Sequence, residues 1–127
     1  MTSPVHLEFA ALAAKHAGAT IQDIGGGSQV IFIPIFPLPK GWNKQATAIH
    51  FVVPAGYPYA QPDCFYADLN LRLADGRMPQ NTGQNPATAA LASTLWFSWH
   101  LQRPWKPGRD TLFTWLNVIA NRFASLS

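Results

Sequence analysis

Four side chains carry the chemical possibilities of this sequence: Ser98, His100, Asn81 and the single cysteine, Cys64. A serine hydroxyl is a weak nucleophile until a base takes its proton. His100 follows Ser98 by two residues. In an extended segment the two side chains share a face, because side chains alternate with period two. On a helix they would diverge by ~200°. The pair is therefore a candidate nucleophile and base if its segment is extended. Equally open from the residues is a structural role, with Ser98 a small residue between aromatics and His100 a hydrogen-bonded histidine. Asn81 offers a carboxamide to a developing oxyanion, or a turn residue in a segment crowded with Gln80, Gln84 and Asn85. Cys64 follows Pro62 by two residues and precedes Phe65 and Tyr66. It is expected in an apolar strand as an inert small hydrophobe, with nothing near it in sequence to lower its pKa.

The remaining polar candidates read as structural. His50 alternates with Ile49 and Phe51 and is expected on the solvent face of a strand. His6 and His16 lie ten residues apart, the wrong spacing for joint ligation, and a metal site needs several converging ligands. No metal or cofactor is expected. Asp68 and Asp75 are candidates to orient His100 or a lysine, with turn chemistry beside glycine the simpler role. Trp42 sits in a loop rich in breakers and is expected as an exposed anchor, whereas Trp105 is expected to plug its connector against a sheet.

Composition bounds the rest. The chain has 127 residues, 48% of them hydrophobic and 12% charged, which argues for a folded domain over residues 1–127 rather than disorder. Five Trp, eight Phe and three Tyr are many for one small core, so some are expected at a partner surface. The net charge of +3 comes from scattered Lys and Arg, which does not read as a nucleic-acid patch. One cysteine excludes an internal disulfide and fits a reducing compartment. No secretory signal or membrane-length apolar run is visible, so the expected location is cytoplasmic.

The elements that would position these residues follow from periodicity. Ser3 and Pro4 suit a helix start. Val5, Phe9, Leu12 and His16 then fall on one helical face, and Gly18 suits its end. Two β-branched runs around Gly25, Gly26 and Gly27 predict a hairpin, with Pro34 marking an edge or bulge. A strand through Ile49 and Val53, a proline turn and a return strand through Cys64 and Phe65 complete a four-stranded antiparallel meander. Residues 68–85 read as a long irregular segment, residues 87–95 as a short helix, and residues 96–101 give no clear signal. Asp110 is expected to cap a final helix with Leu112, Leu116, Ile119 and Phe123 facing the core.

Tyr57-Pro58 with Pro62, and Trp105-Lys106-Pro107 leading into the last helix, resemble the Tyr-Pro-x-x-x-Pro connector and the Trp-x-Pro of the ubiquitin-conjugating superfamily. Phe36-x-Leu38-Pro39-x-Gly41, Leu71-Arg72-Leu73-Ala74-Asp75-Gly76 and Trp105-x-Pro107-Gly108 look more specifically like its bacterial branch, family E of the prokaryotic ubiquitin-conjugating-like proteins. The likeness spans residues 5–125 and rests mostly on the order of its short motifs. It implies an α+β ubiquitin-conjugating (UBC-like) fold and, as partners, a ubiquitin-like modifier, a ThiF-like activating enzyme and a protease that removes the modifier. Lys15, on the outer face of the first helix, would by the same resemblance suit contact with the activating enzyme. The usual nucleophile of the superfamily is a cysteine shortly before the Trp-x-Pro. Phe97 and Ser98 occupy that neighbourhood, and Pro79-Gln80-Asn81 is a partial echo of the usual His-Pro-Asn. The resemblance therefore implies a protein that accepts or positions a modifier, with a Ser98 oxyester in place of a thioester. The alternative is a non-catalytic binding module that kept the fold and lost the thiol.

Overall fold

The computed structural model describes residues 4–127. Helix α1, Pro4–Lys15, is followed by strands β1 (Thr20–Gly25), β2 (Ser28–Pro37), β3 (Ala46–Val53) and β4 (Phe65–Asp68). Two further strands, β5 (Thr82–Gly83) and β6 (Thr94–Phe97), bracket a single 3-10 turn at Ala89–Leu91, and helix α2, Leu112–Ala124, closes the order. Ser3 lies outside the described residues.

The meander forms as its hydrophobic pattern requires. β1, β2, β3 and β4 pair antiparallel in chain order. Gly26 and Gly27 both take positive φ, 64° and 84°, in the two-residue turn between β1 and β2. Such turns match the twist of the flanking strands, and glycine enters them without a Cβ clash. The register of β2 on β3 shifts between Ile33 and Phe36, so Pro34 does mark a bulge. Buried and half-buried residues alternate perfectly along β3. Ile49, Phe51 and Val53 thus face the core, and His50 faces the other way.

The sheet is wider than four strands. Its order is β1-β2-β3-β4-β6-β5. β6 pairs along β4, matching Phe65 to Phe97 and Tyr66 to Trp96, and β5 adds at its far edge. The helix expected over residues 87–95 is replaced by the 3-10 turn and the start of β6. Leu91, Leu95 and Phe97 are buried there at spacings of four and two. Burial of a strand against β4 prevails over the helical preference of the alanines.

The core lies between one sheet face and α2. Phe65 and Phe97 stack at 4.7 Å, and Phe123 of α2 meets both edge-on at 5.4 and 5.6 Å. Leu112, Leu116, Ile119 and Phe123 are all buried, as their helical spacing predicts. Trp42 is a correction. It is buried at 6% exposure, and its Nε1 donates to the Phe123 carbonyl at 2.8 Å. Proline and glycine around it mark irregular backbone, but an indole that finds a carbonyl packs inward.

Asp110 is a second correction. The N-cap of α2 is Thr111, whose Oγ1 accepts from Phe113 N, while Thr114 Oγ1 accepts from Thr111 N. Asp110 instead takes both terminal nitrogens of Arg103, at 2.8 and 2.7 Å, and the Lys106 amide at 2.8 Å. Arg103 and that amide hold its carboxyl well below the usual carboxylate range. The two adjacent residues thus divide the work, Thr111 closing the helix and Asp110 clamping the connector. Thr111→Ala is expected to lower stability by about 1 kcal/mol, read as a shifted denaturation midpoint with unchanged slope.

Candidate functional site

The Tyr-Pro turn and the Trp-x-Pro connector meet in space. Tyr57 and Trp105 rings lie 6.0 Å apart, and Trp105 Nε1 donates to the Pro58 carbonyl at 2.8 Å. Trp105 therefore packs its connector against the Tyr-Pro turn, where a contact with the sheet was expected. The Tyr57-Pro58 peptide is cis. One carboxylate fastens this corner to both helices: Glu8 Oε1 of α1 accepts from the Tyr57 hydroxyl and, at 2.8 Å, from the Leu112 amide at the start of α2. Burial and this carboxylate push the Tyr57 hydroxyl far up, so it stays a proton donor.

The rim of the sheet emerges beside that corner, where β4 begins and β6 ends. Ser98 directly follows β6 and is half-buried. Its amide donates to the Asn81 carbonyl at 2.8 Å, which continues the β5–β6 pairing by one step. Asn81 is exposed with φ +60°, a left-handed turn conformation that asparagine tolerates. The structure thus sets Asn81 next to Ser98 by backbone pairing. On the other flank the Cys64 amide donates to the Trp99 carbonyl at 2.9 Å.

His100 stands at the outer edge, its side chain 57% exposed. Its Nδ1 is 2.9 Å from Asp63 Oδ1. A carboxylate on Nδ1 fixes that nitrogen as the donor and leaves Nε2 with the lone pair. No hydrogen bond joins Ser98 to His100 among the described residues.

Cys64 corrects its sequence reading. It lies just outside β4, half-exposed, with φ +62°. Its Sγ, a ring nitrogen of His100 and a carboxylate oxygen of Asp63 all fall within 4.8 Å of one another. It is therefore not an inert core thiol among apolar neighbours. Burial pushes the thiol up, Asp63 adds to that, and contacts from Trp99, Trp96 and Ser98 pull the other way. What places it there is the positive φ, which turns the side chain out of the strand's alternation.

The other sequence candidates lie elsewhere. Asp68 bonds Lys44 at 3.0 Å and Asp75 bonds Arg77 at 2.6 Å, so neither orients His100. Asp63 fills that role and was missed. Its signal was its place beside Pro62 at the mouth of the return strand, legible only once β4 is paired with β6. His50 packs on Phe32 at 4.6 Å, and burial lowers its pKa. Lys15 is exposed near the Phe113 ring, 5.1 Å from its centroid.

Arg122 is the second residue that sequence reading missed. It is 2% exposed and donates to the carbonyls of Gln80, Ser125 and Ser127. Its guanidinium lies 5.2 Å from the Phe97 ring and 5.4 Å from the Trp99 ring. It thereby ties α2 to both segments that frame Ser98. Beside His100 a groove of about 240 Å³ runs between Trp99, Leu101 and Arg103 on one side and Val118 and Asn121 of α2 on the other.

An α1–meander–α2 order, with the Tyr-Pro and Trp-x-Pro segments bonded to each other beside an open rim, defines the ubiquitin-conjugating, UBC-like α+β class. Residues 14–125 match the family described as Prokaryotic E2 family E, and the chain belongs to that family. Membership assigns it to a prokaryotic ubiquitin-like pathway, with a ubiquitin-like modifier and an activating enzyme as its general kinds of partner. No curated protein and no solved structure matches the chain. Among the described residues, no helix is long and apolar enough to cross a membrane.

Proposed function

We propose that this protein takes a ubiquitin-like modifier from a ThiF-like activating enzyme as an oxyester on Ser98. Residues 1–127 act as one cytoplasmic unit in this reading, and a dedicated protease reverses the modification. Ser98 Oγ attacks the carbonyl of the modifier's terminal residue on the activating enzyme. The C–O bond forms as the C–S bond breaks and the thiolate leaves. The hydroxyl proton passes to His100 Nε2, directly or through one water. Asp63 keeps the imidazole in the required tautomer, and the Asn81 carboxamide faces the developing oxyanion. An amine or water then displaces the serine.

The observation that carries the reading is the hydrogen-bonded His100–Asp63 pair just past the end of β6, with His100 two residues beyond a half-buried Ser98 and its Asn81 contact. The groove between residues 99–103 and α2 is a suitable bed for an extended peptide tail, with apolar walls from Trp99, Leu101 and Val118. General bases in ligand-free enzymes often sit loosely and tighten on substrate, so a missing Ser98–His100 bond is compatible with catalysis.

That same gap favours a second reading, a binding module that holds modifier and activating enzyme without forming an ester. One experiment separates the two. The protein is mixed with modifier, activating enzyme and ATP, and the products are treated with thiol reductant or mild base. Acyl transfer predicts an adduct that resists reductant, yields to base and disappears in Ser98→Ala. Retained binding with no adduct would establish the module instead. A reductant-labile adduct would move the acceptor to Cys64.

A further inference from the structure

The rim also gathers three side chains of metal-ligand type, apart from any role of Ser98. The Cys64 sulfur, a His100 ring nitrogen and an Asp63 carboxylate oxygen lie within 4.8 Å of one another. We propose that they form a binding site for one zinc-class divalent cation, with the fourth position open to water.

The donor set selects the ion. Thiolate and imidazole with a single carboxylate suit zinc, whereas magnesium and calcium prefer oxygen ligands only. The geometry is close to what such an ion needs. Tetrahedral bonds of about 2.0–2.3 Å set ligand atoms roughly 3.3–3.8 Å apart. The His100–Asp63 pair, now hydrogen-bonded at 2.9 Å, has to open by about 0.5 Å to admit the ion, and the sulfur, within 4.8 Å of both, has to approach by about 1 Å at most. Asp63 and His100 are exposed, at 60% and 57%, and the bond that turning them breaks is their own. The backbone beneath them is fixed, because Cys64 N is bonded to Trp99 O and the flanking strands are paired. With the thiol ionised, Asp63 and Cys64 together match the charge of a dication. Binding replaces the S–H bond by an S–metal bond and releases the proton to solvent.

The site stands whether or not the chain transfers acyl groups. If it does, an ion on His100 removes the base from Ser98. Metal loading and modifier loading then exclude each other.

The test uses the full, reduced, metal-free chain with cobalt(II) alone as the probe. Titration should produce a thiolate-to-cobalt charge-transfer band with visible bands of four-coordinate intensity, saturating at one ion per chain and erased by zinc. Cys64→Ser should abolish the charge-transfer band. His100→Gln and Asp63→Asn should each weaken binding about tenfold or more. Cys64 is the chain's only thiol, so protection of that thiol from alkylation by zinc reads the same atom. Absence of the band overturns the site. So does a band that survives Cys64→Ser, or affinity unchanged by both His100→Gln and Asp63→Asn. None of these readings needs modifier or activating enzyme, so a failed transfer reaction leaves the metal result intact.

Discussion

His100→Ala is expected to slow modifier loading by about 10²–10⁴-fold, the range that a positioned general base contributes. In the proposed mechanism the alanine removes the base assigned to Ser98 while leaving the serine in position. Its effect on stability should stay within about 0.5 kcal/mol, because the ring is exposed and packs on little. Initial loading rates together with thermal unfolding separate the two effects. Asp63→Asn keeps an oxygen near Nδ1 but loses the charge. The Asp63–His100 pair is exposed and screened by solvent, so the smaller loss of about tenfold is expected there. Loading at the wild-type rate in His100→Ala would remove the base from the mechanism.

Arg122→Ala is expected to cost about 3 kcal/mol, one of the largest effects in the molecule. A buried guanidinium is desolvated, which lowers its pKa, and here it is held by carbonyls and aromatic faces. Truncation leaves the Gln80 carbonyl without its donor and opens space beneath Phe97 and Trp99. Arg122→Lys keeps the charge but not the fork that reaches several carbonyls at once, so it should fall between the two. Denaturant titration measures the loss. A midpoint unchanged in Arg122→Ala would show that the carbonyls find other partners at no cost. Loss of the Arg122–Gln80 bond also frees the turn that carries Asn81, so loading should fall even at temperatures where the variant is folded.

Periodicity made the helices and the first four strands legible. Leu12, Ile49, Phe51 and Ile119 are buried where a 3.6 or a 2.0 repeat puts them. β5 was not legible because two residues are too few to display a period, and β6 because its short alternation follows an alanine-rich run that reads as helix. β6 exists through pairing with β4, a contact between segments some thirty residues apart, and β5 in turn through pairing with β6. The candidate site depends on that same pairing. Ser98, His100 and Asn81 stood out by residue type, and the strand register brings Ser98 to Asn81. The Asp63–His100 bond spans 37 residues and has no local signature. Cys64 misled because β-strand neighbours imply burial, while a single positive φ turns it toward the rim. Trp42 misled in the opposite sense, its indole reaching a carbonyl 81 residues away.

The most direct measurement is the identity of the residue that carries the modifier. The reductant-resistant adduct formed with modifier, activating enzyme and ATP is digested, and the attachment point is read by tandem mass spectrometry. The modifier remnant should lie on Ser98, in ester linkage. A remnant on Cys64 or on a lysine, or a chain that binds the modifier and never carries it, would contradict the oxyester.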